Sequence, residues 1–143
     1  MAVFKDSEQF YETVGELMNR AKMDPEIGKK IAKSGTIIQF HYTDPEAVTT
    51  VNAKDKPTQP GAYVDVFNGP TELKPEIMMT MKADTAHAFW HGKVNLLNAL
   101  TKKEILLQGS QLKVLQLLPA VTPLFKVYPA LLKEKGYDEL VLK

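Results

Sequence analysis

The chain has 143 residues, of which 44% are hydrophobic and 24% charged, and its 18 basic and 17 acidic side chains leave a formal net charge of +1. These values are typical of one globular domain that is long enough for a real core. The balanced charge gives no electrostatic basis for binding nucleic acid or an anionic membrane, so neither is expected as a partner. Cysteine is absent, which excludes disulfides and thiol chemistry and fits a reducing compartment.

No targeting or membrane-spanning segment is predicted. No apolar run approaches the roughly twenty residues that a spanning helix needs, and the start MAVFKDSEQF lacks the pattern of a signal peptide. The final Val-Leu-Lys is not the Ser-Lys-Leu address of peroxisomal proteins. A cytoplasmic location without stable membrane insertion is therefore expected.

Two helices are predicted at the start of the chain. Asp6 or Ser7 is placed to cap the first helix and Asp24 to cap the second, and Pro25 fits the first turn of the second one. Apolar residues recur at helical spacing after each cap, and the apolar side of the first helix is expected to pack on a sheet. The dipeptide Ser34-Gly35 marks the end of the second helix.

Three strands are predicted next, over 36–43, 47–52 and 62–67. In the first strand, alternation puts Ile38, Phe40 and Tyr42 on one face. In the third strand, Val64 and Val66 are expected to point inward. The polar residues that alternate with them indicate an opposite face in contact with water.

The segment 76–118 carries the densest apolar pattern of the chain. Its first part predicts a strand over 77–82 that buries Ile77, Met79 and Met81 on one face. The apolar residues of the whole segment are too dense to form only one thin packed face. This surplus indicates an interior that holds something besides protein.

Helices and a short strand are predicted after this point. Asp84 is placed to cap a helical passage that runs to Leu100 and fits two short helices better than one. A minimal strand over 105–107 follows, and Ser110 is placed to cap a Leu-rich helix. The inward side of that helix is expected to carry Leu112, Leu115 and Leu118. A last helix over 121–136 has a wide apolar side that fits a position across the opening of a cavity.

The order of these elements predicts an α+β fold. Short connections between the strands favour a five-stranded, mainly antiparallel sheet with helices on one face, enclosing an apolar cavity. No linker, repeat or low-complexity tract divides the sequence. Residues 1–143 are therefore expected to form a single domain, with 121–136 as a lid-like C-terminal helix.

One stretch resembles the sterol carrier protein 2 family of lipid-binding domains. The resemblance lies in a strand followed by Asp84, Phe89 and Gly92, then an aliphatic run, Ile105-x-Leu107-x-Gly109 and a Leu-rich helix, about a third of the chain. One departure is Lys103, which stands where members often have a glycine before the short strand. The resemblance implies a fold of this type, and C-terminal segments in the family can serve as a lid.

The function that the resemblance implies is non-catalytic binding of a lipid or other elongated apolar molecule. A fatty acid, acyl-CoA, sterol or isoprenoid would lie in an internal hydrophobic tunnel with loose specificity and without a cofactor, because burial of apolar area contributes about 25 cal/mol per Å². From their inferred inward faces, the residues expected to contact the ligand are Phe40, Tyr42, Val64, Met79, Met81, Phe89, Trp90, Leu97, Leu107, Leu115, Phe125 and Tyr128.

Two other interpretations compete with ligand binding, and the second is the weaker. The apolar helix 121–136 could dock a partner or a second copy as a homodimer, which would make the chain an accessory or assembly domain. His87 and His91 stand four residues apart, the spacing at which two imidazoles can bind one metal. His41 is the only other histidine, and no nucleophile, phosphate-loop or dinucleotide motif is present, so neither a metal site nor an enzyme is expected.

Overall fold

The computed structural model describes residues 3–142 of the chain. Within this range, the strands are β1 (Ile37–Thr43), β2 (Ala47–Asn52), β3 (Asp65–Asn68), β4 (Ile77–Lys82) and β5 (Ile105–Gln108). The helices are α1 (Ser7–Phe10), α2 (Glu16–Met23), α3 (Pro25–Ala32), α4 (Ala83–Trp90), α5 (Leu96–Thr101), α6 (Gln111–Val121) and α7 (Leu124–Glu134). A π-helical turn (Tyr11–Gly15) joins α1 to α2, and a 3-10 turn (Asp138–Leu140) follows α7. The predicted α+β class is confirmed.

Three of the predicted helix caps are confirmed. Asp6, Asp24 and Ser110 each accept a hydrogen bond from a backbone N–H in the following turn, at distances of 2.8 to 3.2 Å. The first N–H groups of a helix have no partner within it, so these side chains satisfy donors that would otherwise depend on water. Local sequence therefore sets where α1, α3 and α6 begin.

The predicted cap at Asp84 is wrong. Helix α4 begins one residue earlier, at Ala83, after Lys82 in an extended conformation. The carboxylate of Asp84 instead accepts a hydrogen bond from the backbone N–H of Val3, 2.9 Å away. A negative side chain in the first turn still lies at the positive end of the helix dipole. Asp84 thus stabilises α4 and also ties the N-terminal segment to it.

The sheet has the strand order β3-β2-β1-β4-β5. Three of its pairs are antiparallel, as expected for a mainly antiparallel sheet, and the central pair of β1 with β4 is parallel. In that pair Phe40 lies opposite Met79 and Tyr42 opposite Met81. Residues that face each other across strands point to the same side, so the apolar faces predicted for the two strands combine into one surface.

The opposite face of the sheet carries the predicted polar residues, but several of them are buried. Gln39 is 8% exposed because it lies between the Thr50 hydroxyl, 3.0 Å away, and the Nε2 of His41, 2.6 Å away. Asp65 is 4% exposed because its carboxylate accepts hydrogen bonds from the backbone and hydroxyl of Thr58. Polar residues on this face therefore satisfy one another as well as contacting water.

The helices contribute most of the core on the apolar side of the sheet. Helix α7 packs against α2 and α4, and its Leu124, Tyr128, Leu131 and Leu132 are fully buried. Pro129 lies inside α7, which continues through it. Among residues 3–142, no single helix is long and apolar enough to cross a membrane, and α6 and α7 meet that requirement only together, across a bend of 60°.

Two glycines provide a test of the close approach between β4 and β5. Gly109 has a φ of +113°, and a Cβ there would lie 2.7 Å from the carbonyl oxygen of Glu76. Gly69 has a φ of +132°, but no atom lies within 4 Å of its Cβ position. Both Gly→Ala changes strain the backbone, whereas only Gly109→Ala adds a clash with backbone.

We expect Gly109→Ala to lower the free energy of unfolding by about 1–3 kcal/mol more than Gly69→Ala does. Urea denaturation of the two variants and the wild type measures the difference. Equal losses in both variants would show that the contact with Glu76 costs nothing.

Candidate ligand-binding cavity

An apolar cavity lies between the inner face of the sheet and the helices. The cavity has a volume of about 100 Å³ and is partly open to the surface. No charged side chain of residues 3–142 lines it. The lining residues are Met18, Ile31, Ile38, Phe40, Tyr42, Val51, Met79, Met81, Ala86, Phe89, Trp90, Leu96, Ile105, Val114, Leu117, Leu118 and Val121.

Half of the predicted ligand contacts line this cavity, namely Phe40, Tyr42, Met79, Met81, Phe89 and Trp90. The strand residues line it because alternate side chains of a strand point to one face, and β1 and β4 pair so that their apolar faces coincide. Phe89 and Trp90 are there because they lie three and four residues after Ala86, which also lines the cavity, and such positions share one side of α4. Contact of these side chains with a ligand stays a prediction.

The other predicted contacts lie outside the lining: Val64, Leu97, Leu107, Leu115, Phe125 and Tyr128. Leu97 is 51% exposed on the short helix α5. Phe125 forms a second layer, with its ring edge-on to Phe89 at 5.4 Å between centroids and to Trp90 at 6.2 Å. Phe125 therefore supports the two aromatic rings of the lining without facing the cavity itself.

Helix α4 is positioned by its ends. Its C-terminus is closed by Gly92, which has a φ of +74° and donates a backbone hydrogen bond to the Phe89 carbonyl at 2.8 Å. A glycine adopts this left-handed conformation without strain, so the helix stops here. A second short helix, α5, follows, and the prediction of two short helices is confirmed.

Helix α6 forms one wall of the cavity, and the sequence pattern predicted its inward side only in part. Its lining residues are Val114, Leu117, Leu118 and Val121. Of the side chains expected to face inward, Leu118 lines the cavity, Leu115 packs against the core outside the lining, and Leu112 is 66% exposed. Leucines occur all around this helix, so spacing alone allows more than one buried side. The signal that would have found the wall is the repeat of apolar residues at 114, 117, 118 and 121.

The C-terminal helix lies in the core. Within 121–136, only Val121 lines the cavity, and the apolar side of α7 packs on α2 and α4. The tail that follows α7 returns to α4. A lid role for this segment stays a prediction, because its main apolar contacts are with other helices.

His87 and His91 bind the C-terminal tail to α4. The carbonyl of Leu140 lies 2.8 Å from Nε2 of His87, so this nitrogen donates, and Nδ1 accepts from the Tyr128 hydroxyl at 2.8 Å. Nδ1 of His91 donates to the His87 carbonyl at 2.8 Å, and its Nε2 accepts from the backbone N–H of Leu142 at 3.2 Å. Both rings are therefore neutral and have defined tautomers.

This arrangement uses the ring nitrogens that a metal would need. His41, the third histidine, lies on the opposite face of the sheet and bonds to Gln39. Among residues 3–142, no three His, Cys, Asp or Glu side chains are grouped so that they could hold one metal ion. The spacing of His87 and His91 thus serves a structural contact in this fold.

Burial changes the proton affinity of the two histidines. Desolvation and, next, the neighbouring His91 lower the pKa of His87 from 6.5 to about 4. Desolvation also lowers the pKa of His91. An imidazole that is buried among Phe4, Tyr128 and the tail favours its uncharged form, because a charge there would lose its hydration.

No family model matches the sequence, and a comparison with curated proteins finds no match either. Solved structures do resemble it. Sterol carrier protein 2 from Yarrowia lipolytica, in its apo form, superposes with a TM-score of 0.57 at 17% identity, over 80% of this chain and 88% of that one. The sterol carrier protein domain 2 of Helicoverpa armigera gives 0.57 at 19% identity, over 78% and 87%.

A third structure, the UbiJ-SCP2 ubiquinone synthesis protein, gives a TM-score of 0.55 at 12% identity, over 77% of this chain and 85% of that one. These identities show a shared fold and nothing finer. The chain therefore has the sterol carrier protein 2 fold, and the fold that the sequence resemblance implied is confirmed.

The buried histidine predicts how stability depends on pH. The folded state keeps His87 neutral down to about pH 4, whereas the unfolded chain takes up a proton near pH 6.5. The contribution of His87 to the free energy of unfolding is therefore fully present above pH 6.5. It is lost as the pH falls from 6.5 to about 4, by up to about 1.4 kcal/mol per pH unit. Urea denaturation at several pH values measures the slope.

We expect His87→Gln to be less stable at neutral pH and to have a flatter slope between these limits. The matched control is His41→Gln, which leaves His87 in place and should keep the slope of the wild type. An unchanged slope in His87→Gln would contradict the assignment.

Proposed function

We propose that this chain is a non-catalytic binding and carrier protein for lipids or other elongated apolar molecules. The observation that carries the proposal is the cavity, whose lining is formed almost entirely by hydrophobic side chains. Sites that bind small molecules are concave and mostly apolar, and this cavity has both properties. Further support comes from the solved structures of the same fold that are named sterol carrier proteins.

The energetics favour a chain-shaped ligand. Each CH₂ group that leaves water contributes about 0.8 kcal/mol, so a segment of hydrocarbon gains affinity without polar contacts. A cavity of about 100 Å³ holds such a segment and not a whole lipid, since an empty apolar cavity of about 150 Å³ takes up a molecule the size of benzene. The remainder of a longer ligand would extend through the open side or displace side chains.

Three methionines of the lining provide that adaptability. Met18, Met79 and Met81 are unbranched and polarizable, and their rotatable bonds let them fit different apolar shapes. We therefore propose loose specificity among fatty acid, acyl-CoA, sterol and isoprenoid types. The proposal includes a cytoplasmic location and a carrier role that needs no cofactor.

A docking domain is not favoured as the alternative. The apolar side of α7 would have to be free to bind a partner, but Leu124, Leu131 and Leu132 are fully buried within the chain. Arg20 of α2 and Glu134 at the end of α7 also form an ion pair that ties the two helices together. A homodimer through another surface stays a prediction.

The experiment that tests the proposal is native mass spectrometry of the protein purified from its own cells. We expect an apolar molecule to co-purify and to be removed by organic extraction. Trp90 is the single tryptophan of the chain and lines the cavity, so its emission should change when 1-hexadecanol or methyl palmitate is added back. Absence of both a bound mass and an emission change would refute the carrier function.

Filling the cavity provides a second test. Ala86 is 1% exposed and lines the cavity, whereas Ala88 is half-buried on the same helix and lies outside the lining. We expect Ala86→Leu to weaken 1-hexadecanol binding by about tenfold or more, because each displaced CH₂ of the ligand costs about 0.8 kcal/mol. Titration of Trp90 emission measures the affinity.

Ala88→Leu is the matched control, with the same added side chain on the same helix, and should bind within about twofold of the wild type. Circular dichroism and thermal unfolding check that both variants are folded. Equal binding by Ala86→Leu and Ala88→Leu would place the ligand somewhere other than this cavity.

A further inference from the structure

Tyr42 carries one of the two side-chain polar groups among the residues that line the cavity. Its side chain is 3% exposed and lines the cavity from the end of β1. The ring is held by Phe10, with centroids 4.5 Å apart, and is stacked with Phe40 at 6.2 Å. Packing on both neighbours fixes the direction of the hydroxyl, so the group has a defined place in the interior.

The hydroxyl of Tyr42 makes no hydrogen bond to any residue between Val3 and Leu142. Within that range, Ser34 Oγ is the only side-chain polar atom that is fully enclosed and without a partner, so the Tyr42 oxygen keeps some accessible surface. Since no residue in this range bonds the hydroxyl, its partner has to be a molecule that reaches its accessible surface, either water or a ligand. The hydroxyl would therefore gain a hydrogen bond from any ligand atom that can accept one.

We propose that the Tyr42 hydroxyl is a polar subsite of the cavity and donates a hydrogen bond to a neutral oxygen, such as a carbonyl, within the buried part of an apolar ligand. This inference rests on the proposed function, since it assigns the chemistry of the molecule that the cavity holds. The preferred ligand is then a hydrocarbon chain or ring system with a ketone, ester or quinone-type oxygen, and not a plain hydrocarbon.

A free carboxylate does not fit the same position. No Lys, Arg or His of residues 3–142 lines the cavity, so a buried carboxylate would have no charged partner and would lose its hydration. Burial also raises the pKa of Tyr42 well above its usual value, with smaller contributions from Tyr11 and Tyr128. The hydroxyl therefore stays protonated and acts as a donor at neutral pH.

Trp90 carries the other side-chain polar group of the lining. Its indole N–H makes no hydrogen bond to residues 3–142, and its side chain is 6% exposed. Both an indole N–H and a hydroxyl can donate a hydrogen bond to a ligand oxygen. We assign this role to Tyr42, and the test separates Tyr42 from Trp90.

The test is a competition between ligands of equal chain length. The wild-type protein is equilibrated with hexadecane and with hexadecanones that carry the carbonyl near the end, a quarter of the way along and in the middle. The bound molecules are then extracted and quantified by gas chromatography. We expect at least one ketone to be preferred over hexadecane by about three- to tenfold, the effect of one net hydrogen bond.

Tyr42→Phe keeps the ring and removes the hydroxyl, so it should abolish the preference and leave hexadecane binding within about twofold. Tyr11→Phe is the matched control, because the Tyr11 hydroxyl bonds to the backbone of Val48 and does not line the cavity. It should keep the preference. Thermal unfolding checks the fold of both variants.

Equal binding of ketones and hexadecane to the wild type would overturn this inference and leave the carrier function standing. A preference that survives in Tyr42→Phe and disappears in Trp90→Phe would overturn the assignment to Tyr42. Failure of every probe to bind would overturn the carrier function and the polar subsite together.

Discussion

The parallel pairing of β1 with β4 at the centre of the sheet determines where the cavity lies. In this register Phe40 stands opposite Met79 and Tyr42 opposite Met81, so their side chains share one surface. A parallel pair cannot be joined by a tight turn. The chain therefore has to leave the sheet and return, and the strands on either side are added antiparallel to this centre.

Helices cover that surface without filling it. Helix α7 packs deep in the core with fully buried leucines, whereas α6 packs on α3 and lines the cavity with Val114, Leu117 and Leu118. Protein interiors are normally packed as densely as organic crystals, so free space lined by apolar side chains is a specific feature. A fold that leaves such space beside flexible methionines is suited to a guest of variable shape.

The histidines show how one spacing can support two different interpretations. Residues four apart on a helix can bind a metal together or face the same packing partner. The fold decides between these uses, because the tail brings the Leu140 carbonyl to His87 and the Leu142 N–H to His91. The same contacts extend the buried surface of α4, the helix that supplies Phe89 and Trp90 to the cavity.

Much of the local structure was predictable because its causes are local. Strands 47–52 and 77–82 have the predicted bounds, and Asp6, Asp24 and Ser110 cap helices as expected. Alternation with a period of two identifies the buried face of a strand whatever lies above it. The positions of Phe40, Tyr42, Met79 and Met81 in the lining of the cavity follow from this rule.

What the sequence by itself determined was the class of fold, the order of its elements and the apolar face of each central strand, since side-chain alternation and capping act within a few residues. The tertiary structure alone decided that β1 and β4 pair in parallel, which side of α6 faces inward and that Leu97 is exposed. A helix with leucine on every side has several equivalent ways to pack, and only the neighbours that it meets select one.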